Sequence, residues 1–273
     1  GEYTYLARRV HPLAGFLAGW ISLFAGFTAS MAFAAGALEG YLAPLLGLAD
    51  AVPQGTVAVI AILLAAGVHS WHFVRGAWLQ NLVVVAKVAG LVAMVVVGCV
   101  LLGQRPPLDQ PVAQAPFPGW LAIANQLTWV ALGYAGFNAA IYVAEEVRDA
   151  RRNVPRAMLI GTLVVMLLYV ALKAVFVYSG PLGPLTNTPD IAAVAARLLG
   201  GAWAEVGVRV LICAALLTSV SALTMSGPRV YAKMAQDGLF PLPVSSVDGT
   251  VRGAIWLQAA LAIAVVLSTT LRT

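Results

Sequence analysis

The sequence predicts an all-α integral membrane protein with seven transmembrane helices. Of its 273 residues, 61% are hydrophobic and only 10% are charged, whereas a soluble domain carries about 25% charged residues. The mean hydropathy is +0.89, and the charges cluster between long neutral stretches. These stretches are too long and too continuous for the strands of a membrane barrel, which alternate in polarity over about ten residues. The composition therefore excludes a soluble enzyme.

Seven stretches of the sequence are long and neutral enough to be predicted spans. A helix needs about 20 predominantly apolar residues to cross a hydrocarbon core of about 30 Å. Clusters of Pro, Gly and Asp, at residues 42–53, 104–119 and 180–190, separate the stretches and favour turns where polar groups return to water. The predicted spans are residues 13–38, 56–73, 79–102, 121–144, 157–180, 206–230 and 253–271.

The distribution of Lys and Arg orients these helices, because connections rich in both residues stay in the cytoplasm. Of the 16 Lys and Arg residues, ten lie on the side of the N-terminal end, four on the other side and two within spans. The N-terminal end is therefore expected to be cytoplasmic, and the net charge of +5 reflects membrane orientation rather than nucleic acid binding. The ten are Arg8, Arg9, Arg75, Arg148, Arg151, Arg152, Arg156, Arg229, Lys233 and Arg252.

Motifs for catalysis, metals and cofactors are missing from the sequence. Cys99 and Cys213 both lie in apolar stretches, so a disulfide framework or paired metal ligands are not expected. His69 and His72 flank Trp71 near the end of a predicted span, which favours an interfacial position over a metal site. The sequence contains no H-E-x-x-H, G-x-S-x-G or P-loop motif. We therefore expect neither an enzyme nor an ATP-driven pump, and no metal or cofactor.

The most informative segment is Gly133-Tyr134-Ala135-Gly136-Phe137-Asn138, near the middle of the fourth predicted span. Two glycines beside an asparagine weaken a helix. In an unwound segment, carbonyls at the end of the first half suit an ammonium, and amides at the start of the second half suit a carboxylate. Close helix packing at the two glycines is an equally simple interpretation of the same residues.

Three segments resemble amino acid permeases of the amino acid-polyamine-organocation superfamily. Residues 134–157, which read YAGFNAAIYVAEEVRDARRNVPRA, are similar to the sixth helix of that family and the loop after it. Residues 1–5 (GEYTY), with Gly15-Phe16 and Gly19-Trp20, resemble the beginning of its third helix. Arg229-Val230, with AQDGLFP at residues 235–241, resembles the end of its eighth. The seven predicted spans are thus similar to helices three to nine of the family.

This resemblance implies a transporter core of two inverted five-helix repeats with a broken helix. Residues 1–273 would form a single, incomplete membrane transport domain that lacks the first two helices and the C-terminal helices. The implied function is secondary transport of amino acids by alternating access, as a proton-coupled permease or an exchanger, in the plasma membrane. The implied partners are an amino acid substrate, protons and the lipid bilayer.

The resemblance also assigns substrate-binding roles. Carbonyls of Leu132, Gly133 and Ala135 would hold the substrate ammonium, and Asn138 would contribute a polar side chain. Many relatives have an aromatic gate at the position of Leu132, so either gating is looser here or Tyr134 or Phe137 takes that part. The implied substrate-binding residues are Leu132, Gly133, Tyr134, Ala135, Gly136, Phe137, Asn138 and Ser30.

Four residues are candidates for coupling. Lys87 lies about eight residues into the third predicted span, some ~12 Å deep, where an ionisable group marks an ion pathway or locks helices together. Several relatives have a lysine there, near the sodium position of sodium-coupled members, which implies proton coupling or none. Thr218, Ser219 and Ser221 match a Thr-Ser pair of the eighth helix, although hydroxyls in such helices commonly bond to their own backbone.

Two alternative functions stay open. Carbonyls that hold an ammonium do not require a carboxylate on the same molecule, so a polyamine or other organic-amine permease of the same superfamily fits the pattern. A seven-helix ligand sensor that does not transport belongs to a different class, and the glycine-rich break and Lys87 argue against it.

Overall fold

The computed structural model describes residues 2–48, 51–71, 76–104, 117–134, 136, 139–142, 144, 147–180, 185, 190–240 and 252–270. Every regular element in these ranges is helical. The elements are α1 (Glu2–Arg9), α2 (Pro12–Ile21), a π-helical segment (Ser22–Ala29), α3 (Ser30–Leu45), α4 (Thr56–Trp71), α5 (Gly76–Gly103), α6 (Trp120–Gly133), α7 (Ala139–Tyr142), α8 (Ala150–Tyr178), α9 (Ile191–Gln236) and α10 (Arg252–Thr270).

Five stretches of the described chain are long and apolar enough to cross a membrane. They are Pro12–Leu45, Leu82–Gly103, Ala150–Tyr178, Ile191–Gln236 and Arg252–Thr270. The second predicted span is a shorter apolar helix, α4, of 16 residues. The fourth is divided between α6 and α7. The all-helical membrane class is therefore confirmed, whereas the count of seven complete spans and the inverted repeat stay predictions.

The first span is longer than its hydropathy indicates, because three helical segments join end to end over 34 residues. Pro12 opens α2, where a missing N–H costs nothing, and the Nδ1 atom of His11 accepts a hydrogen bond from the Leu13 amide at 3.2 Å. The helix continues through Ser22–Ala29 in the wider π form. It ends at Leu45, seven residues beyond the predicted boundary.

A carboxylate inside this first span caps the next helix. The two oxygens of Glu39 accept hydrogen bonds from the Gly55 and Ala58 amides at 2.7 and 3.0 Å. The first amides of a helix have no partner within the helix and attract negative charge. Glu39 therefore fixes the beginning of α4 against the end of α3.

The chain divides into two compact units. The first consists of Gly1–Ala93 and Ala202–Thr273. Its core joins α3, α4, α9 and α10 through Met31, Ile62, Val220 and Ile255, with many alanines that let the helices approach closely. Inside this core, the Nε2 atom of buried Gln258 donates to the Leu223 carbonyl at 3.2 Å and to the Met31 sulfur at 3.5 Å.

The second unit is Met94–Gly201 and contains the end of α5 with α6, α7 and α8. Gly98 lets α5 pack directly against Val175 of α8, because a Cβ at this glycine would lie 2.5 Å from a Val175 methyl group. The unit ends where α9 is interrupted. Gly201 has φ +74° and ψ −157°, a conformation that only glycine adopts readily.

Candidate functional site

The fourth predicted span breaks within the segment that its glycines indicate. Helix α6 ends at Gly133, and the Tyr134 amide donates to the Ala131 carbonyl at 3.1 Å in a tight final turn. Gly136 has φ +95°, in the region that L side chains rarely adopt. Helix α7 begins only at Ala139. Among the described residues, the α-helix therefore ends at Gly133 and an α-helix begins again at Ala139.

A tyrosine of α8 binds the carbonyl end of α6. The Tyr169 hydroxyl donates a hydrogen bond to the Gly133 carbonyl at 2.9 Å. The rings of Tyr134 and Tyr169 meet edge to face, with centroids 5.4 Å apart and an interplanar angle of 69°. A carbonyl oxygen has two lone pairs, and the Tyr169 hydroxyl uses one of those on the Gly133 oxygen. Tyr169 is thus a residue of the break that sequence analysis missed.

A cavity of about 390 Å³ lies beside the break. Gly133, Tyr134, Gly136 and Ala140 form one wall, and one face of α8 forms the other. Glycines and alanines create the space, and the described lining residues carry no charge. The residues from α8 are Ala157, Met158, Gly161, Thr162, Val165 and Tyr169.

Three of the predicted substrate-binding residues, Gly133, Tyr134 and Gly136, line this cavity. Leu132 lies in α6, where the structure describes its backbone alone. Ala135, Phe137 and Asn138 lie outside the described residues. Their assigned roles stay predictions. Ser30 begins α3 in the first unit, and its hydroxyl lies 3.5 Å from the Ala25 carbonyl.

The three predicted coupling hydroxyls behave differently. Thr218 and Ser219 both donate to the Ala215 carbonyl of their own helix, at 2.7 and 3.0 Å. These contacts match the alternative interpretation, in which a hydroxyl satisfies its own backbone. Ser221 instead reaches another helix, and its Oγ lies 2.8 Å from Nε2 of His69 on α4. Lys87 lies half-buried within α5, and its role stays a prediction.

The interfacial position expected for His69 is wrong, since its side chain is only 7% exposed. Trp71, whose proximity in sequence favoured the interface, is 79% exposed. Two residues along an α-helix correspond to about 200° of rotation, so the two side chains lie on opposite faces. His69 therefore faces α9 and Ser221, while Trp71 faces outward. His72 lies outside the described residues.

A second polar contact joins α1 to the end of α9. The Tyr3 hydroxyl donates to Oδ2 of Asp237 at 2.8 Å, and Nζ of Lys233 lies 3.0 Å from Oδ1. Burial and the hydrogen bond to Asp237 raise the pKa of Tyr3 to about 12. The Tyr3 hydroxyl and Lys233 lower the pKa of Asp237 below its usual range.

Within the described ranges, no three His, Cys, Asp or Glu side chains form a metal site.

The described residues thus combine apolar helices long enough to cross a membrane with a helix that breaks beside a cavity. The family model described as "Amino acid permease" matches residues 1–272. The chain therefore belongs to the amino acid permease family, as the sequence motifs predicted.

Three relatives illustrate the match. The b(0,+)-type amino acid transporter 1 of Homo sapiens is 30% identical over 181 residues, which are 63% of this chain and 36% of that protein. An uncharacterised transporter of Mycobacterium tuberculosis is 30% identical over 249 residues, 90% of this chain and 54% of the relative. The branched-chain amino acid permease BcaP of Lactococcus lactis is 23% identical over 270 residues, 92% of this chain and 58% of the permease. The chain thus spans between 36% and 58% of the length of these relatives.

Proposed function

We propose that this protein is a secondary transporter that moves amino acids across the plasma membrane by alternating access, with its N-terminal end in the cytoplasm. The observation that carries the proposal is the break between α6 and α7, which places the Gly133 carbonyl beside a cavity of about 390 Å³. Membership of the amino acid permease family and the transporter names of the relatives support an amino acid as the substrate.

The depth of the cavity supports a transport site. Its α8 residues run from Ala157 to Tyr169, around the middle of a helix that extends from Ala150 to Tyr178. If α8 crosses the bilayer, the cavity lies near the midplane, where transporters built around broken helices hold their substrates. A site at this depth can open to either side with small movements of the flanking helices.

The carbonyl end of α6 suits the ammonium of an amino acid. The end of a helix carries partial negative charge, and each unbonded carbonyl there accepts an N–H donor. The Tyr169 hydroxyl uses one lone pair of the Gly133 oxygen and so fixes the direction of the other. In this proposal the ammonium takes that second position, with the carbonyls of Leu132 and Ala135 nearby, and Asn138 donates to the substrate carboxylate.

In this proposal, amino acid transport is coupled to protons. Lys87 lies inside a helix that is long and apolar enough to span, where a charge is costly and a lysine readily loses its proton. Proton-coupled uptake or exchange therefore fits this residue better than sodium coupling. The contact between Ser221 and His69, which joins two helices, is the other candidate for transmitting the change in protonation, together with Thr218 and Ser219.

The test is uptake of a panel of labelled amino acids into proteoliposomes that contain the full-length protein, with and without an imposed pH gradient. We expect saturable uptake that Asn138→Ala impairs. We also expect accumulation under the pH gradient, which Lys87→Ala abolishes while exchange continues.

Accumulation unchanged by Lys87→Ala would remove Lys87 from coupling. If no amino acid enters or exchanges through folded protein, amino acid transport is wrong. Labelled polyamines and a binding assay would then separate an organic-amine permease from a ligand sensor.

A further inference from the structure

We propose that the cavity beside the break receives the side chain of the transported amino acid and selects neutral, apolar side chains, with Gly161 setting their maximum size. This inference rests on the proposed function, because it assumes that the substrate ammonium binds at the end of α6. It adds the substrate class and the residue that limits it.

The chemistry of the cavity wall opposes charged side chains. Among its described residues only Tyr134, Thr162 and Tyr169 bear polar side-chain groups. Two of these hydroxyls are already engaged, since Thr162 donates to the Met158 carbonyl at 2.8 Å and Tyr169 donates to Gly133. Among the described lining residues a charged side chain would find no counter-ion to offset its lost hydration, which is unfavourable.

The charges that flank the cavity on α8 are both positive. Arg156 precedes the first α8 residue of the lining, and Lys173 lies one turn beyond the last, Tyr169. Neither belongs to the described lining. Cationic amino acids therefore gain no attraction from these α8 charges, whereas apolar side chains gain by burial against Met158 and Val165.

The size of the cavity depends on residues without side chains. Its volume of about 390 Å³ lies in the range of small-molecule sites, roughly 300–1,000 Å³. Met158, Gly161, Thr162, Val165 and Tyr169 share one face of α8, because residues three or four apart lie above one another on a helix. Gly161 is thus the gap in an otherwise continuous row of side chains.

Gly161 can be enlarged without disturbing the fold. A Cβ placed on it meets no atom within 4 Å. The other two glycines of the wall are less suitable, because Gly136 has φ +95° and Gly133 bears the carbonyl that Tyr169 binds. A side chain at position 161 therefore occupies space in the cavity and leaves the helix intact.

The experiment measures uptake of labelled alanine, leucine, lysine and glutamate by the full-length protein in proteoliposomes. We expect the wild type to prefer leucine over lysine and glutamate. Gly161→Val should lower the ratio of leucine to alanine uptake by about tenfold or more, the range in which a pocket discriminates one or more methylene groups. Because both substrates are measured on the same vesicles, this ratio is independent of how much protein is folded.

Gly207→Val is the matched control, since Gly207 is an exposed helical glycine whose Cβ would also meet no atom within 4 Å. It should leave the ratio unchanged. If Gly161→Val transports neither substrate, Gly161→Ala is measured instead. We expect this variant to lower the ratio of leucine to alanine uptake by a smaller factor. The inference is overturned if the wild type transports lysine or glutamate at the same rate as leucine. It is also overturned if the ratio of leucine to alanine uptake is unchanged in the Gly161 variants. Neither result contradicts amino acid transport. Absence of all uptake in folded wild-type protein overturns the proposed function itself.

Discussion

The Tyr169 hydroxyl and the Gly133 carbonyl, 36 residues apart in sequence, form a hydrogen bond of 2.9 Å at the broken end of α6. The amide of the same peptide unit, that of Tyr134, donates to the Ala131 carbonyl at 3.1 Å, so the Tyr169 bond is a second constraint on the direction of the Gly133 carbonyl. It makes Tyr169 a positioning residue for the proposed ammonium site, because its effect on the substrate passes through the backbone.

Tyr169→Phe should raise the KM for amino acid uptake about fivefold, with a smaller effect on kcat. The change removes one hydrogen bond, worth about 1 kcal/mol, while keeping the ring contact with Tyr134. Uptake kinetics in proteoliposomes provide the measurement. Tyr178→Phe is the control, since Tyr178 lies on the same helix and is 64% exposed. Equal KM values for the two variants would remove Tyr169 from the site.

Glu39→Gln should destabilise the protein by about 1–2 kcal/mol, because one of the two amides at the start of α4 loses an anionic acceptor. Glu39→Ala removes both acceptors and should cost more. Thermal unfolding of the purified protein in detergent measures both. Glu205→Gln, which removes the carboxylate of an i,i+4 ion pair with Arg209 within one helix, should cost less than Glu39→Gln. A larger loss of stability in Glu205→Gln than in Glu39→Gln would contradict the capping role of Glu39.

Ser221→Ala should cost about 1–3 kcal/mol, since buried His69 loses its hydroxyl partner on α9. Ser219→Ala tests the same substitution two residues away, where the hydroxyl donates to the Ala215 carbonyl of its own helix at 3.0 Å. This control should lie within about 0.5 kcal/mol of the wild type. Unfolding temperatures of the two variants measure the difference. Equal shifts would show that the contact between Ser221 and His69 contributes nothing to stability.

The Tyr3–Asp237 contact should make stability depend on pH at both extremes. The pKa of Asp237 is lowered in the fold, so its contribution is complete above the unfolded pKa of about 3.9 and is lost as pH falls through the lower folded value. The pKa of Tyr3 is raised to about 12, so its contribution is complete below the unfolded pKa of about 10 and is lost as pH rises from there.

Unfolding temperatures against pH test this expectation. The difference between wild type and Asp237→Asn should be constant near neutrality and shrink only below about pH 4. The difference between wild type and Tyr3→Phe should hold at neutral pH and shrink above about pH 10. Differences that do not change with pH in either range would mean that these two groups do not titrate as a pair.

Hydropathy predicted the helical class and the approximate positions of the long apolar helices, and Gly133 and Gly136 indicated where a helix could break. Each of these features depends on neighbouring residues. The contacts that define the polar sites join distant residues. Tyr169 meets Gly133 across 36 positions, and His69 meets Ser221 across 152. No local pattern distinguishes Tyr169 from an aromatic residue that faces lipid. Glu39 likewise resembles the polar end of a span, and only the packing of α3 against α4 reveals its two amide partners.

The long helix α9 is interrupted at Gly201, and its second part, residues 202–236, is about 52 Å long at 1.5 Å per residue. A bilayer with its headgroups measures only about 40–45 Å. Unless it tilts strongly, a helix of this length therefore extends beyond the headgroups at one end or at both. Tyr3 of α1, which is only 4% exposed, covers one side of the C-terminal end of this helix and binds Asp237 directly after its last residue.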